Sequence, residues 1–299
     1  MVFASHVPRR PLTRFIQNFW CYEGYASPYP RERIFPDGTF KLVFNLANDE
    51  FRIYDSRETG ACRTFAGAML SRPSGSPFVT DSEEESSILG VNFRLGGVLP
   101  FLGFEASDAG DSHVDLRDVC GADATALHIR LSECSRPEDR FRILENWLIG
   151  RMARVQRRGR ECHRSEVLAA LDALGSPQPG SRTREVAREV GLSERRFIEV
   201  FTAEVGMKPK LFSRVRRFQH ARSLIDRNVM TVGWATIAAE CGYCDQSHLI
   251  RDFEIFTGFT PVEYLNRQRH LTAHGVRAKP NHLPMAEHGQ FYPIHSAAT

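Results

Sequence analysis

An internal repeat in the last third of the chain constrains the fold more than any other feature of the sequence. Residues 186–192 (VAREVGL) align with residues 237–243 (IAAECGY). With one extra residue in the second copy, the alignment continues over four more pairs. These pairs are Phe197 and Leu249, Phe201 and Phe253, Gly206 and Gly258, and Pro209 and Pro261. Each copy therefore predicts a small apolar helix, a glycine turn, a second helix and a G-x-x-P ending.

The spacing within each copy is typical of a helix-turn-helix motif. Gly191 and Gly242 stand where the first helix must end in a left-handed residue, a conformation that glycine adopts without steric cost. Ser193 and Asp245 follow as N-caps of the second helix. Apolar residues four positions apart face the core, which leaves a polar face that can enter a major groove. One copy alone would also suit an ordinary αα-hairpin, but two copies in matched register favour a pair of DNA-reading motifs.

The second helices of the two motifs are predicted near residues 194–204 and 245–256. Between them, residues 210–225 have an apolar residue every three or four positions, which predicts one long connecting helix. Successive major grooves on one face of DNA are about 34 Å apart, so a rigid connector lets the two helices read adjacent turns. The connector also carries four arginines, which we expect to be ion-pair partners or solvated, with one or two touching phosphate. They are Arg214, Arg216, Arg217 and Arg222.

Residues 242–264 (GYCDQSHLIRDFEIFTGFTPVEY) resemble the signature of the AraC/XylS transcriptional regulators. Residues 160–270 resemble the seven-helix DNA-binding domain of that family throughout. The resemblance implies a cytoplasmic bacterial regulator that binds promoter DNA and works with RNA polymerase. Members of the family are often homodimers, are usually activators and are often controlled by a small molecule.

The resemblance also places the base-contacting residues. In the second reading helix they fall on Gln246, Ser247 and Arg251, and Gln and Arg are the side chains that pair bidentately with adenine and guanine. In the first reading helix they fall on Arg195, Arg196 and Glu199. Family members often have a basic residue at the last of these positions. A glutamate there either accepts from cytosine N4 or weakens the grip of the first motif.

The first half of the chain has strand-like character. Short segments rich in aromatic and branched residues alternate with Gly, Pro and Ser clusters, which favours a β-sandwich or barrel over βαβ units. From Pro137 an amphipathic helix follows, with an apolar stripe from Phe141 to Val155. We expect this stripe to cover the β-domain or to form a homodimer interface. The predicted fold class is α+β, with a sensor or dimerisation domain at 1–158, an all-α double helix-turn-helix domain at 159–270 and an irregular tail at 271–299.

The β-rich half is a candidate site for a small organic effector. Side chains alternate along a strand, so Phe15 and Phe19 share one face of the first long strand, and Trp20 and Tyr22 share the other. One set must fill the core, which leaves the other to line a cavity, a partner surface or a second packed layer. Arg94 is a candidate partner for an acidic group on the ligand, although an internal ion pair would also explain it.

Charge and composition agree with this assignment and exclude several others. Residues 1–150 contain 16 basic and 21 acidic residues, whereas residues 181–270 contain 15 basic and 11 acidic residues. No apolar stretch reaches the length of a membrane span and the first residues do not resemble a secretory signal. Cys241 and Cys244 form a C-x-x-C, but it lies in a helix-turn-helix turn without a second cysteine pair at zinc spacing.

We therefore expect no metal, no cofactor and no enzymatic activity. The alternative from another class is a ligand-binding or enzymatic β-domain whose helical half only mediates protein contacts. The sequence gives neither the operator, nor the effector, nor the sign of regulation.

Overall fold

The computed structural model describes residues 2–24, 27, 29–55, 62–82, 86–109, 112–157, 165–175, 183–227, 233–273, 276 and 281–285. It contains eleven strands within these residues. They are β1 Val2–His6, β2 Ile16–Glu23, β3 Arg31–Ile34, β4 Lys41–Asn45, β5 Glu50–Asp55, β6 Cys62–Ala66, β7 Ala68–Ser71, β8 Phe78–Asp81, β9 Ser87–Phe93, β10 His113–Asp115 and β11 His282–Met285.

The described residues also contain eleven α-helices. They are α1 Leu99–Leu102, α2 Leu116–Cys120, α3 Ala122–Ser132, α4 Pro137–Gln156, α5 Ser165–Gly175, α6 Thr183–Glu189, α7 Glu194–Val205, α8 Pro209–Arg227, α9 Trp234–Glu240, α10 Gln246–Thr257 and α11 Pro261–Ala273. We call residues 2–157 with 281–285 the sheet half, and residues 165–273 the helical half. The predicted boundary at 158/159 lies outside the described residues.

The strands form two antiparallel sheets. The first sheet has the order β1-β2-β9-β4-β7-β10 and the second has the order β11-β3-β8-β5-β6. The α+β class with a β-sandwich-like first half and an all-helical second half is confirmed, but the strands do not close into a barrel. β2 is paired along both edges, by β1 and β9, and its side chains alternate between the two faces of the sheet.

The outer face of the first sheet packs against α4. Phe19 of β2 is fully buried there, and its ring lies 6.1 Å from the ring of Phe141. Leu144 and Leu148 are also fully buried in this core, and Met152 is nearly so. The apolar stripe of α4 therefore covers the β-domain, and the expectation that it forms a dimer interface is wrong because the sheet already occupies it.

The C-terminal segment differs from the irregular tail that the sequence predicts. Residues 282–285 pair with β3 as the edge strand of the second sheet, with His282 opposite Ile34 and Met285 opposite Arg31. Leu283 of this strand is buried among helices of the helical half. Two prolines and the lack of a clear period hide this strand in the sequence, and its pairing partner is about 250 residues away. The rest of the predicted tail, residues 286–299, lies outside the described residues.

The two halves share part of one hydrophobic core. Phe35, which follows β3, is buried with residues of the helical half, and its ring lies 5.9 Å from the ring of Tyr264 in α11. At the connector, Gln219 Nε2 donates a 2.6 Å hydrogen bond to the Pro36 carbonyl. Gly38 lies directly against Phe212 and Val215 of α8. None of the helices described is long and apolar enough to cross a membrane.

Candidate nucleic-acid interface and interdomain cavity

The two repeat copies fold into turns with the same hydrogen bonds. In the first copy Gly191 has a positive φ of 74°, and Leu192 N donates to Ala187 O over 2.9 Å. In the second copy Gly242 has a φ of 72°, and Tyr243 N donates to Ala238 O over 2.9 Å. The matched geometry confirms that both copies adopt the predicted helix–turn–helix arrangement.

The second helix of each motif starts at the predicted cap. Ser193 Oγ accepts from Arg196 N at the start of α7, and Asp245 Oδ1 accepts from His248 N at the start of α10. The bounds of these helices, Glu194–Val205 and Gln246–Thr257, lie within one residue of the predictions. Ser or Asp at this position satisfies a backbone N–H that the helix itself cannot pair.

All six predicted base-contacting residues are exposed. Gln246, Ser247 and Arg251 lie on the outer face of α10, while the intervening Leu249 is fully buried. Arg195, Arg196 and Glu199 lie on the outer face of α7. The structure thus presents one polar set on each second helix, as direct reading of bases requires.

Glu199 is paired with both arginines of its own helix. Its carboxylate lies 3.1 Å from Arg195 Nε and 3.3 Å from Arg196 Nη1. Its pKa is lowered, mainly by the hydrogen bonds from Arg195 and Arg196. Since all three side chains are exposed, solvent screens these pairs strongly. The pairing draws both guanidinium groups toward the carboxylate and reduces the positive charge that α7 presents.

Three connector arginines have structural partners, as expected. Arg214 pairs with Asp252 of α10, and Arg217 Nη1 donates to the Gly242 carbonyl in the turn of the second motif. Arg222 pairs with Asp226 one turn along α8. The Nε atoms of Arg216, Arg217 and Arg222 are all buried without a hydrogen-bond partner among the described residues. Arg216 is different because, within the described residues, its other guanidinium nitrogens have no hydrogen bond or ion pair either.

Arg216 lines a cavity of about 590 Å³ between the sheet half and α8, which we call the interdomain cavity. Its apolar wall comes from the inner face of the first sheet and from the second sheet. This wall includes Trp20, Tyr22, Val43, Met69, Phe78 and Ile88. A volume of this size is in the usual range for small-molecule sites.

Trp20 lies flat over Gly90 of the neighbouring strand. A Cβ at residue 90 would lie 2.1 Å from Trp20 Cζ2, so only glycine leaves room for the indole. Trp20 Nε1 donates to Asn92 Oδ1 over 3.2 Å, and its ring lies 5.2 Å from that of Tyr22. Phe19 of β2 fills the core together with Phe15, which precedes the strand, whereas Trp20 and Tyr22 of β2 face the cavity.

The polar end of the interdomain cavity carries an excess of positive charge. Its charged lining residues are Lys41, Arg72, Arg216 and Arg222, with Asp37 as the carboxylate. Lys41 Nζ lies 2.5 Å from Asp37 Oδ2. Burial alone would raise the pKa of Asp37, but Lys41 and Thr39 lower it below its usual value. Asp37 is therefore ionised and neutralises Lys41. Of the arginines in the lining, Arg222 pairs with Asp226 of its own helix, whereas Arg216 has no ion pair within the described residues.

Two family profiles match the chain. The profile described as "Helix-turn-helix domain" matches residues 186–267, which include both motifs and the connector. The chain carries an AraC-type helix-turn-helix domain. The profile described as "Domain of unknown function (DUF6597)" matches residues 4–115, which include both sheets apart from β11 and the first two residues of β1. No curated protein matches the sequence.

Solved structures are similar to this chain at low identity. ToxT from Vibrio cholerae is 12% identical, with 88% of this chain and 98% of ToxT covered at a TM-score of 0.44. ToxT of strain SCE256 with bound unsaturated fatty acid is 14% identical, with 88% and 94% covered at 0.42. The DNA-binding domain of AdpA, in complex with a target DNA, is 23% identical, with 37% and 96% covered at 0.32. At these values we draw no conclusion about ligand or DNA target from them.

The cysteine pair in the AraC-type domain is placed for packing. Cys241 is buried, and burial raises the pKa of its thiol to about 12, so the thiolate that metals and redox partners need is disfavoured. Cys244 is exposed and remains a free thiol. No group of three or more metal-ligating side chains occurs within the described residues.

The structure separates the three predicted effector residues. Trp20 and Tyr22 line the interdomain cavity, but Arg94 does not, because its Nε donates to the Thr13 carbonyl on the exposed side of the sheet half. Arg216, and not the predicted Arg94, lines the cavity. No local pattern distinguishes it from its neighbours on α8, since its role depends on which face of the connector meets the sheet half.

Proposed function

We propose that this protein is a sequence-specific DNA-binding transcriptional regulator that reads two adjacent major-groove segments with α7 and α10. The observation that carries the proposal is the presentation of polar, exposed residues on two equivalent helices joined by one 19-residue connector helix. A rigid connector supports a fixed spacing between the two helices, and fixed spacing is what two successive groove contacts require.

We infer further that an organic anion binds in the interdomain cavity and controls DNA binding. The lining includes Arg72, Arg216 and Arg222, and within the described residues the guanidinium group of Arg216 makes no hydrogen bond or ion pair. A partly buried guanidinium group without a partner gains most from a carboxylate, sulfonate or phosphate group. The aromatic and aliphatic wall opposite suits an apolar ligand body.

The DNA-binding part is tested by selecting sites from a random duplex library with the full chain, followed by footprinting of the DNA upstream of its gene. We expect a selected site with two conserved blocks about one helical turn apart. We also expect the affinity to fall steeply with salt, as it does for contacts that release counterions. A library with no enriched sequence, or binding that is insensitive to salt, would favour the alternative that the helical half mediates only protein contacts.

The effector part is tested with 8-anilinonaphthalene-1-sulfonate, an aromatic sulfonate whose fluorescence rises in apolar surroundings. We expect saturable binding to the wild-type protein and at least a ten-fold weaker affinity for Arg216→Met, which removes the charge but keeps an apolar stem. Arg94→Met is the matched control, because it removes the same charge outside the cavity. Equal loss in both variants would contradict the assignment of Arg216.

The remaining parts of the family resemblance stay predictions. They are a homodimer, a contact with RNA polymerase, activation rather than repression, and a cytoplasmic location in a bacterium. Since the stripe of α4 is buried, a dimer would have to use another surface of the sheet half. Light scattering with and without the selected DNA tests the oligomeric state.

A further inference from the structure

β3 and β11 form the edge of the second sheet, and this strand pair, which we call the ribbon, has residues on the interdomain cavity and residues on the AraC-type domain. Ile34 and His282 are paired across the ribbon, and both line the cavity. The next pair along the ribbon, Arg33 and Leu283, points to the opposite face, as alternation along a strand requires. Leu283 is buried in the core of the helical half. A single peptide unit therefore separates a cavity residue from a residue that contacts the DNA-binding domain.

Arg33 contacts the end of the second recognition helix. Its Nη1 donates a 3.0 Å hydrogen bond to the carbonyl of Thr257, the last residue of α10. The carbonyl groups at a helix C-terminus lack partners within the helix and carry partial negative charge, so a guanidinium group is well suited to this position. Arg33 belongs to the sheet half, yet it stabilises the helix that carries Gln246, Ser247 and Arg251.

The surroundings of Arg33 hold its guanidinium group in place. Its guanidinium carbon lies 4.8 Å from the centre of the Phe259 ring, and that of Arg267 lies 4.5 Å from the same ring. A Cβ at residue 258 would lie 2.1 Å from Arg33 Nη1, so Gly258 is needed both for this approach and for its φ of +79°. Burial lowers the pKa of Arg33, and burial together with the nearby Arg33 lowers that of Arg267 to about 10.

The same ribbon is tied to the connector helix next to the cavity. Asn281, which precedes β11, accepts from Phe35 N through its carbonyl over 2.9 Å and donates from Nδ2 to Asp37 Oδ2 over 3.2 Å. Its Oδ1 accepts from Arg222 of α8. A ligand that moves Asp37 or Arg222 at the polar end of the cavity would therefore act on the ribbon through Asn281.

We propose that Arg33 is the positioning residue through which occupancy of the interdomain cavity changes the placement of α10 on DNA. The inference rests on the proposed function. A ligand affects DNA affinity only when it binds one arrangement of the protein better than another, and the ribbon gives the two sites a shared element to act on. Arg33 contributes by its contact with α10 and touches neither the cavity ligand nor the bases.

The test measures DNA affinity of the full chain for the selected site with and without saturating 8-anilinonaphthalene-1-sulfonate. For the wild-type protein we expect the probe to change the dissociation constant about five-fold or more. For Arg33→Met we expect the probe to bind with unchanged affinity while the ratio of DNA dissociation constants falls toward one. Arg33→Lys keeps a cation at the helix end but loses the planar fork, so an intermediate ratio is expected. Arg94→Met should keep the wild-type ratio.

The outcomes separate a failure of this proposal from a failure of the proposed function. A wild-type ratio near one, with probe bound and DNA bound, would contradict both, because the cavity would then have no control over DNA binding. A ratio in Arg33→Met equal to that of the wild type would show that Arg33 does not carry the coupling. If Arg33 has only a structural role, Arg33→Met should lower the free energy of unfolding and leave the ratio of DNA dissociation constants unchanged. Equal affinity of the probe for the wild type and for Arg216→Met would instead contradict the proposed effector site. Absence of a selected DNA site would contradict the proposed DNA binding.

Discussion

Asp252 in α10 and Arg214 in α8 form an ion pair in which Arg214 Nη2 lies 2.6 Å from Asp252 Oδ1. Asp252 is 2% exposed, and the guanidinium carbon of Arg214 lies 5.3 Å from the centre of the Phe256 ring. The equivalent residue of the first motif is Val200, which is buried and apolar. Both recognition helices pack apolar residues against the rest of the helical half, but at this position the second is held to the connector by an ion pair and the first has an apolar residue.

Asp252→Ala is expected to lower the free energy of unfolding by about 3 kcal/mol, because it leaves Arg214 partly buried without its counter-charge. Urea denaturation of the full chain measures this change. Asp139→Ala is the control, since Asp139 pairs with Arg142 over 2.8 Å on the exposed face of α4. Loss of that exposed pair should lower the free energy of unfolding by about 1 kcal/mol or less. Equal effects in the two variants would contradict the role assigned to Asp252.

Arg251→Ala is expected to weaken binding to the selected site by about 1–3 kcal/mol and to change binding to scrambled DNA little. The reason is the exposed position of Arg251 on the outer face of α10. Fluorescence anisotropy with both duplexes measures the two affinities. Arg142→Ala removes the same charge from the sheet half and should leave both unchanged. An equal loss of affinity for both duplexes would identify Arg251 as a phosphate contact.

Glu199→Gln distinguishes the two interpretations of the first motif. If the carboxylate only restrains Arg195 and Arg196, its loss should strengthen DNA binding at low salt and steepen the dependence on salt, because more positive charge reaches the phosphates. If Glu199 accepts from a cytosine, the variant should instead lose discrimination at one base pair by about 1–3 kcal/mol. Salt titration and competition among single-base variants of the selected site give the answer.

Gly90→Ala is expected to lower the free energy of unfolding by about 1–3 kcal/mol, because the new methyl group meets the rigid indole of Trp20 and overpacks the sheet. The tryptophan emission of the chain should shift as the ring of Trp20, one of its three tryptophans, moves toward the cavity. Gly150→Ala is the control within α4, where a Cβ meets nothing within 4 Å. That substitution should stabilise the helix by up to about 1 kcal/mol. Stability of Gly90→Ala equal to that of the wild type would contradict the close packing.

His113 makes the stability of the sheet half depend on pH. Its ring is buried 4.3 Å from that of Phe78, and burial together with Arg63 lowers its pKa from 6.5 to about 4. The unfolded chain therefore takes up this proton first, and stability is lost as the pH falls from 6.5 toward 4. Between pH 7 and pH 5 the loss from this group is about 2 kcal/mol. His113→Leu should reduce the pH dependence of unfolding by that amount, and an unchanged dependence would contradict it.

The helical half could be predicted closely because its determinants are local. Gly191 and Gly242 end their helices with positive φ, and Ser193 and Asp245 cap the next ones, all within a few residues of the elements that they define. Such signals are readable from sequence since they depend on backbone geometry over one turn. The sequence pattern also indicates the strand segments of the first half, but it does not indicate their order in the two sheets.

The interdomain cavity could not be predicted because it depends on contacts between distant residues. The alternation along β2 separates Trp20 from Phe19, but only the packing of α4 decides which of the two faces the cavity. In the same way, Arg216 looks like its neighbours on α8 until the sheet half is placed against that helix. The pairing of β11 with β3 joins segments about 250 residues apart, and no turn signal marks such a pairing.

The position of β11 has a consequence for how the two halves can move. The chain leaves the sheet half after α4, forms the whole AraC-type domain and returns to pair with β3. In chain order, the DNA-binding domain is thus an insertion into the β-fold rather than an appendage at its end. A domain attached at both ends has fewer ways to move relative to the rest of the chain than a domain that hangs on one linker. A change in the angle between the recognition helices and the sheets must therefore keep both chain connections intact.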